Sequence, residues 1–282
     1  MYIYLNGQVL SKEEAKISPY DHGFMYGIGA FETFRTYDGF PFLIDEHMKR
    51  LQEALIELNI QAALNTDHVI EAAQALLEKN NLDDAYFRLN VSAGDGDIGL
   101  QTTPYEDPTV ILFTKPLPKP GASAKELVVL NTVRNTPEGR QRLKSHHYLN
   151  SILGKRELKD PVGQEGIFLT EQGFLSEGTV SNLFWVKANV LYTPAVSTGI
   201  LNGITRKWVL HATEKMNIPS ETGNYKRNEL HDADEVILTN SIQELIPVNR
   251  FEHKTLPGAD GPFFQKLKAM YREDTINRRR SI

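Results

Sequence analysis

Gly94-Asp95-Gly96-Asp97-Ile98-Gly99 comes after Ala85 to Ser92, an alternating run that reads as a strand. Its spacing is G-x-G-x-x-G, which after a strand would open a dinucleotide-binding unit and commit the chain to a parallel, doubly wound sheet. That mechanism needs a helix to begin there, so that its amide end can meet a pyrophosphate. The next residues are Leu100-Gln101-Thr102-Thr103-Pro104, which make no helix start. Asp95 and Asp97 would also set negative charge beside a negative ligand. The stretch reads as a loop, and the fold is of another kind.

Toward the N-terminus, Tyr2 to Leu5 reads as a strand that turns at Asn6-Gly7 into Gln8-Val9-Leu10. Ala30 to Tyr37, Asp38-Gly39 and Pro41 to Ile44 form a second predicted hairpin. Asp45 is the expected N-cap of a helix through about Asn59, with Met48, Leu51, Leu55 and Leu58 on one face. A second helix is expected over about Asp67 to Lys79, and a strand over Thr109 to Thr114. Thr114 to Lys125 holds Pro116, Pro118, Pro120 and Gly121 with little to bury, which marks a linker. Beyond it, strands are predicted near Leu127 to Val133, Gly166 to Thr170, Phe174 to Leu175, Asn182 to Val186 and Val190 to Thr193. Helices are predicted near Tyr148 to Leu158, Ile204 to Met216 and Phe263 to Asn277. Without strict βαβ alternation, the class is α/β of the mixed, α+β kind, with helices packed on mixed sheets or barrels. Two α/β domains are expected, at 1–118 and 119–282.

Composition narrows the function. A net charge of −5, spread along the chain, offers no basic stripe for nucleic acid or an anionic membrane. The one basic cluster, Arg278-Arg279-Arg280, reads as a solvated tail. With no cysteine there is no disulfide, thiolate metal site or thiol nucleophile. The start lacks a signal peptide's pattern and no apolar run nears the roughly 20 residues of a membrane span, so the expected location is the cytoplasm. His146 and His147 are adjacent and point to different sides of either a helix or a strand, without a clustered third ligand, so no metal is expected. Neither a G-x-S-x-G elbow nor a Walker-type loop occurs.

What remains are segments whose order matters more than any one of them. They are Ser18 to Gly27 (SPYDHGFMYG), Phe31-Glu32-Thr33-Phe34-Arg35, His47-Met48-Lys49-Arg50-Leu51, Arg142-Leu143-Lys144-Ser145, Ser176 to Asn182 (SEGTVSN), Leu201 to Arg206 (LNGITR) and Thr239 to Val248 (TNSIQELIPV). In this order they resemble the fold-type IV pyridoxal phosphate enzymes, the superfamily of D-amino-acid and branched-chain aminotransferases and aminodeoxychorismate lyases. The resemblance implies pyridoxal phosphate (PLP) as cofactor, a homodimer, and a C-terminal domain that carries the cofactor lysine.

Residue by residue, Lys144 matches the lysine that condenses with the cofactor aldehyde, an amine that must lose its proton first and so needs shelter and nearby positive charge such as Arg142. Arg50 matches the arginine that grips the phosphate, a role suited to a planar, always-charged fork. Gly203, Ile204 and Thr205 sit where a helix begins, a natural anion site, and Ser241 and Ile242 match the second phosphate-binding loop. Glu177 matches the acid that keeps the pyridine nitrogen protonated. Taken singly, Lys144 would read as a solvated lysine, Arg50 as a helix-surface arginine and Glu177 as a turn residue.

Phe31 and Thr33 fall where the family meets substrate. Thr33 stands where the lyases carry a threonine thought to assist proton transfer, whereas branched-chain aminotransferases typically have glycine and the D-amino-acid enzymes valine. The D-amino-acid enzymes place an Arg and a His in the loop that here reads 93–99 with neither. The chain is similar along nearly its whole length to aminodeoxychorismate lyases of Gram-positive bacilli, with Asn135-Thr136-Pro137-Glu138-Gly139 and Arg142 to Asn150 among the shared stretches. A substrate carboxylate would fall to Arg88, Arg140 or another cation. Conversion of aminodeoxychorismate to para-aminobenzoate and pyruvate is thus implied. The alternatives are an aminotransferase for branched-chain or D-amino acids, and a ligand-binding protein that kept the fold without turnover.

Overall fold

The computed structural model describes residues 1–118 and 124–277 of the 282-residue chain. The middle of the proline-rich linker, the expected boundary at 118/119 and the Arg278 to Arg280 cluster lie at or outside those limits. By its contacts the chain divides into two units: Met1–Lys119 with Leu143–His147 and Thr275–Ile282, and Pro120–Arg142 with Tyr148–Asp274.

The first unit opens with β1 (Tyr2–Leu5) and β2 (Gln8–Ser11), joined by Asn6 at φ 44° and Gly7 at φ 89°. Both values are positive, as the expected two-residue turn requires. Then come α1 (His22–Met25), β3 (Gly29–Tyr37), β4 (Phe40–Pro41), α2 (Ile44–Glu57), α3 (Thr66–Asn80), β5 (Ala85–Ser92) and β6 (Thr109–Pro116). The six strands run in the order β2-β1-β6-β5-β3-β4, and every pairing is antiparallel. Leu51, Leu55 and Leu76 from the two long helices pack with Phe34, Phe87 and Leu89 of the sheet, all at most 1% exposed. Each such side chain contributes about 1.5–3 kcal/mol.

Helix α2 starts one residue before the expected Asp45 cap. Leu43 is its N-cap, in the left-handed region at φ 56° and without a side-chain cap bond. Leu43 and Ile44 are buried, so the second arm of the hairpin stops at Pro41 and the chain rolls into the core. Asp45 and Glu46 lie in the first turn instead, where the helix dipole favours them.

The loop at 94–99 opens no helix. It is fastened by α1: Gly94 O accepts from His22 N at 2.9 Å, and His22 Nε2 lies 2.9 Å from Asp97 O. A side chain at Gly96 would sit 2.5 Å from His22 Nε2, so the glycine there makes room for an imidazole, not for a phosphate.

The second unit comprises β7 (Lys125–Val129), α4 (Leu149–Arg156), β8 (Gln164–Leu169), β9 (Leu175–Gly178), β10 (Asn182–Lys187), β11 (Val190–Pro194), α5 (Ile204–Lys215), β12 (Ser220–Gly223), β13 (Glu235–Asn240), β14 (Glu244–Phe251), β15 (Lys254–Thr255) and most of α6 (Pro262–Asn277). The main order is β12-β11-β10-β13-β14-β7-β8-β9, with β15 on β14. Parallel pairs (β11–β12, β14–β7 and β7–β8) occur beside antiparallel ones, so this sheet is mixed. Its core joins Leu127, Ile167, Trp185, Leu238 and Val248.

One difference concerns the lysine. The expected C-terminal domain contained it, yet contacts group Leu143–His147 with the first unit. Phe31 N donates to Lys144 O at 2.8 Å, His146 N donates to Gly29 O at 3.0 Å, and Ala30 bridges Ser145. The segment lies along β3 as a short extra strand, which spacing in the sequence does not reveal.

Candidate active site

Alternation on β3 puts Phe31 and Thr33 on one face, and Thr33 pairs directly with Arg88 of β5. The Phe31 ring, buried to 2% exposure, gathers the cations of this face. Arg88 Cζ stands 3.6 Å from its centroid and Lys144 Nζ 4.6 Å. Four of the expected residues, Phe31, Thr33, Arg88 and Lys144, are therefore brought together by two strands and the Lys144 segment. An amine placed against an aromatic face has less access to water than one on an open surface.

Arg50 lies on α2 and meets Glu32, which is 1% exposed. Its Nε donates to Glu32 Oε1 at 2.7 Å and its Nη2 to Oε2 at 2.6 Å, while His47 Nδ1 lies 2.6 Å from Oε2. Burial alone would raise the Glu32 carboxyl, but Arg50, with His47, outweighs it and holds it at about 2. Burial also pulls His47 toward its neutral form, so Arg50 supplies most of the compensating charge. The one-turn spacing of His47 and Arg50 on the helix brings both to one carboxylate.

In the second unit Glu177, on β9, is 4% exposed. Arg134 donates twice to its Oε1, from Nε at 3.0 Å and Nη2 at 2.7 Å, and Arg142 Nε stands 3.6 Å from the same oxygen. Arg134 is itself held through Nη1 by Asn150 Oδ1 at 2.7 Å. The other oxygen, Oε2, accepts from Leu201 N at 2.9 Å, with Asn182 Nδ2 at 3.5 Å. Arg142, expected to assist Lys144, spends its guanidinium on Glu177, Gly199 O and Asn135. Burial, then the charge of Arg134, pulls it down to about 10, which leaves it a cation at neutral pH.

Helix α5 begins as expected, with Gly203 as N-cap, no side-chain cap and no acid in its first turn. Thr205 is 2% exposed, and among the described residues its hydroxyl has no hydrogen-bond partner. Gly203 is needed for packing as well as for access, since a Cβ there would lie 2.1 Å from Asn182 Oδ1. An uncapped helix start with a buried, unsatisfied hydroxyl fits an anion such as the phosphate of the implied cofactor. Ser241 and Ile242 follow β13, the strand on which α5 packs. The Ile242 amide already donates to Asn240 Oδ1 at 3.0 Å in a side-chain-closed turn, so it is less open than the sequence suggests.

Sequence reading passed over the residues that hold these groups. Glu32 and His47 stood inside quoted motifs without a role. Asn182 closed one motif, and Arg134 belonged to none. Glu32 could have been found from the helix pair it faces; Arg134 reaches Glu177 across 43 residues and left no local signal.

Residues 29–251 match the family described as amino-transferase class IV, and the chain belongs to it. It is 43% identical over 278 residues to an aminodeoxychorismate lyase of Bacillus subtilis (strain 168), covering 98% of this chain and 95% of that protein. It is 35% identical to a putative branched-chain-amino-acid aminotransferase of Methanocaldococcus jannaschii, over 97% and 96% of the two chains. Among solved structures, 4-amino-4-deoxychorismate lyase from Pseudomonas aeruginosa superposes with a TM-score of 0.85 at 27% identity, over 96% of this chain and 98% of that one. The branched-chain aminotransferase of the archaeon Thermoproteus uzoniensis, solved with norvaline, gives 0.88 at 27%, over 98% and 95%. The fold is that of the class IV aminotransferases. No helix among the described residues is long and apolar enough to cross a membrane.

Proposed function

We propose that the chain is an aminodeoxychorismate lyase that yields para-aminobenzoate and pyruvate for folate biosynthesis. The observation that carries this reading is the grouping of Lys144, Thr33 and Arg88 around Phe31, in a chain 43% identical to a bacterial lyase of that name. Pyridoxal phosphate fits as cofactor, and a homodimer in the cytoplasm belongs to the same reading.

The residues that would hold the cofactor are Lys144 at the aldehyde carbon, Arg50, Gly203, Ile204, Thr205 and Ser241 at the phosphate, and Glu177 at the ring nitrogen. Ile242 would join them with its amide shared between Asn240 and the anion. When bound, the group supplies an electron sink for negative charge that develops on the substrate carbon.

Lys144 then acts as the base: its amine takes the proton from the ring carbon that bears the substrate nitrogen. The same amine, helped by the Thr33 hydroxyl, returns a proton to the methylene of the enolpyruvyl group as its ether bond to the ring breaks, which releases pyruvate. Loss of one proton from the ring and of the ether substituent leaves the ring aromatic. Phe31 walls the site, and Arg88 pairs with a substrate carboxylate. General acid–base steps of this kind are worth roughly 10²–10⁴-fold each.

The test is to supply aminodeoxychorismate, made from chorismate and glutamine by an upstream synthase, and to measure both products without any 2-oxo acid. Equal amounts of para-aminobenzoate and pyruvate are expected. Transamination of a branched-chain or D-amino acid, with no para-aminobenzoate, would overturn the reading.

A further inference from the structure

The Lys144 segment carries a second functional group that the mechanism leaves unused. In a strand-like segment, residues two apart share a face, so His146 lies on the side of Lys144 and His147 on the other. The contacts agree. The His146 ring stacks beside Phe31, with centroids 6.5 Å apart and 29° between planes. His147 is exposed and its ring lies against Gly27. A seat exists for His146 as well, because a Cβ on Gly29 would stand 2.3 Å from its Cε1.

Among the described residues His146 Nε2 is buried and has no hydrogen-bond partner. Polar atoms in such positions are normally satisfied, and one left unpaired beside a binding face is a donor in want of a partner. Burial, then the charge of Arg88, pulls the imidazole down to about 4, so at neutral pH the ring is uncharged and has one N–H to give. Asp21 acts the other way and His147 adds to the lowering, both more weakly.

We propose that His146 is a specificity-determining residue that donates from Nε2 to a carboxylate oxygen of the substrate, while Arg88 supplies the opposing charge. The proposal deepens the lyase reading and rests on it, since it takes the ligand to be a ring bearing a carboxylate. Arg88 alone would accept any anion; a neutral donor beside it asks for an oxygen at a set angle and distance. Phe31 lies beside both groups and offers its ring to the ligand's.

The test uses the cofactor-loaded enzyme and two probes, 4-aminobenzoate and benzoate, whose binding is followed through the cofactor's absorption band. His146→Ala is expected to weaken both probes roughly 10-fold or more, as loss of a hydrogen bond to a charged group does. His146→Gln is expected to recover part of the loss. In the lyase assay the KM should rise more than kcat falls, with the unliganded cofactor spectrum and cofactor affinity unchanged. Equal probe affinity in wild type and His146→Ala overturns the proposal, as does a wild type that binds neither probe. A wild type that makes no para-aminobenzoate yet shows the His146-dependent probe binding overturns the lyase reading and leaves this assignment standing.

Discussion

Each unit of the chain buries a carboxylate against arginine, Glu32 in the first and Glu177 in the second, and the two are built differently. Glu32 is closed: both oxygens are taken by side chains of α2, Arg50 on each and His47 on one. Glu177 is lopsided. Arg134 and Arg142 crowd Oε1, while among the described residues Oε2 has neutral donors, a backbone amide and a distant Asn182. A closed group fixes a helix to a strand; a lopsided one keeps an oxygen on which a further N–H can settle. Burial and charge alone do not tell the two carboxylates apart, whereas the unequal filling of the two oxygens does.

Matched amides probe that contrast most strongly. Glu177→Gln is expected to lower lyase turnover roughly 100-fold or more, the scale for removal of one electrostatic stabiliser, with a smaller loss of stability than the equivalent change at Glu32. Glu32→Gln leaves the half-buried Arg50 without its counter-charge and should cost about 3 kcal/mol in denaturant unfolding. Equal stability losses in the two variants would erase the distinction.

Acid brings out the same difference. The Glu32 carboxyl falls from 4.5 to about 2 on folding, so the unfolded chain binds more protons between those values. Its contribution is complete above about 4.5 and is lost as the pH falls toward 2. Glu32→Gln should therefore flatten the acid limb of stability against pH, measured by denaturant titration from neutral pH downward. An unchanged slope would contradict the closed ion pair.

Smaller effects are expected around Glu177. Arg134→Gln removes two charge-assisted donors from Oε1 and should destabilise by about 1.5–3 kcal/mol, with a weakened hold on the cofactor and partial rescue by lysine. Gly203→Ala would press on Asn182 and should cost about 1–3 kcal/mol by overpacking. Both are read from thermal unfolding together with cofactor affinity.

Local signals carried much of this architecture. Asn6-Gly7 announced its hairpin, and the alternation at 85–92 matched β5 end to end. The periodic apolar faces of α2 and α3 located the first core. The start of α2 departs from the expected cap because burial of Leu43 and Ile44 outweighs the capping preference of Asp45. Strands β12, β13 and β14 carry no local signal as clear. Pro247 lies within β14, where a proline argues against a strand, yet it pairs with Ile237. The site divides along the same line. Lys144, Thr33, Glu177 and the 203–205 turn were legible as family-like motifs. Their supports, Arg134 and His146, depend on long-range pairing and on a segment laid along β3 that no local pattern encodes.

Every role assigned in the site depends on the amine of residue 144 being the one joined to the cofactor. Reduction of the cofactor-loaded protein with borohydride, followed by digestion and mass spectrometry, tests this without relying on turnover. The expected result is a single phosphopyridoxyl-labelled peptide carrying Lys144, and no label in Lys144→Ala. A label on a different lysine, or one that survives in Lys144→Ala, would contradict it.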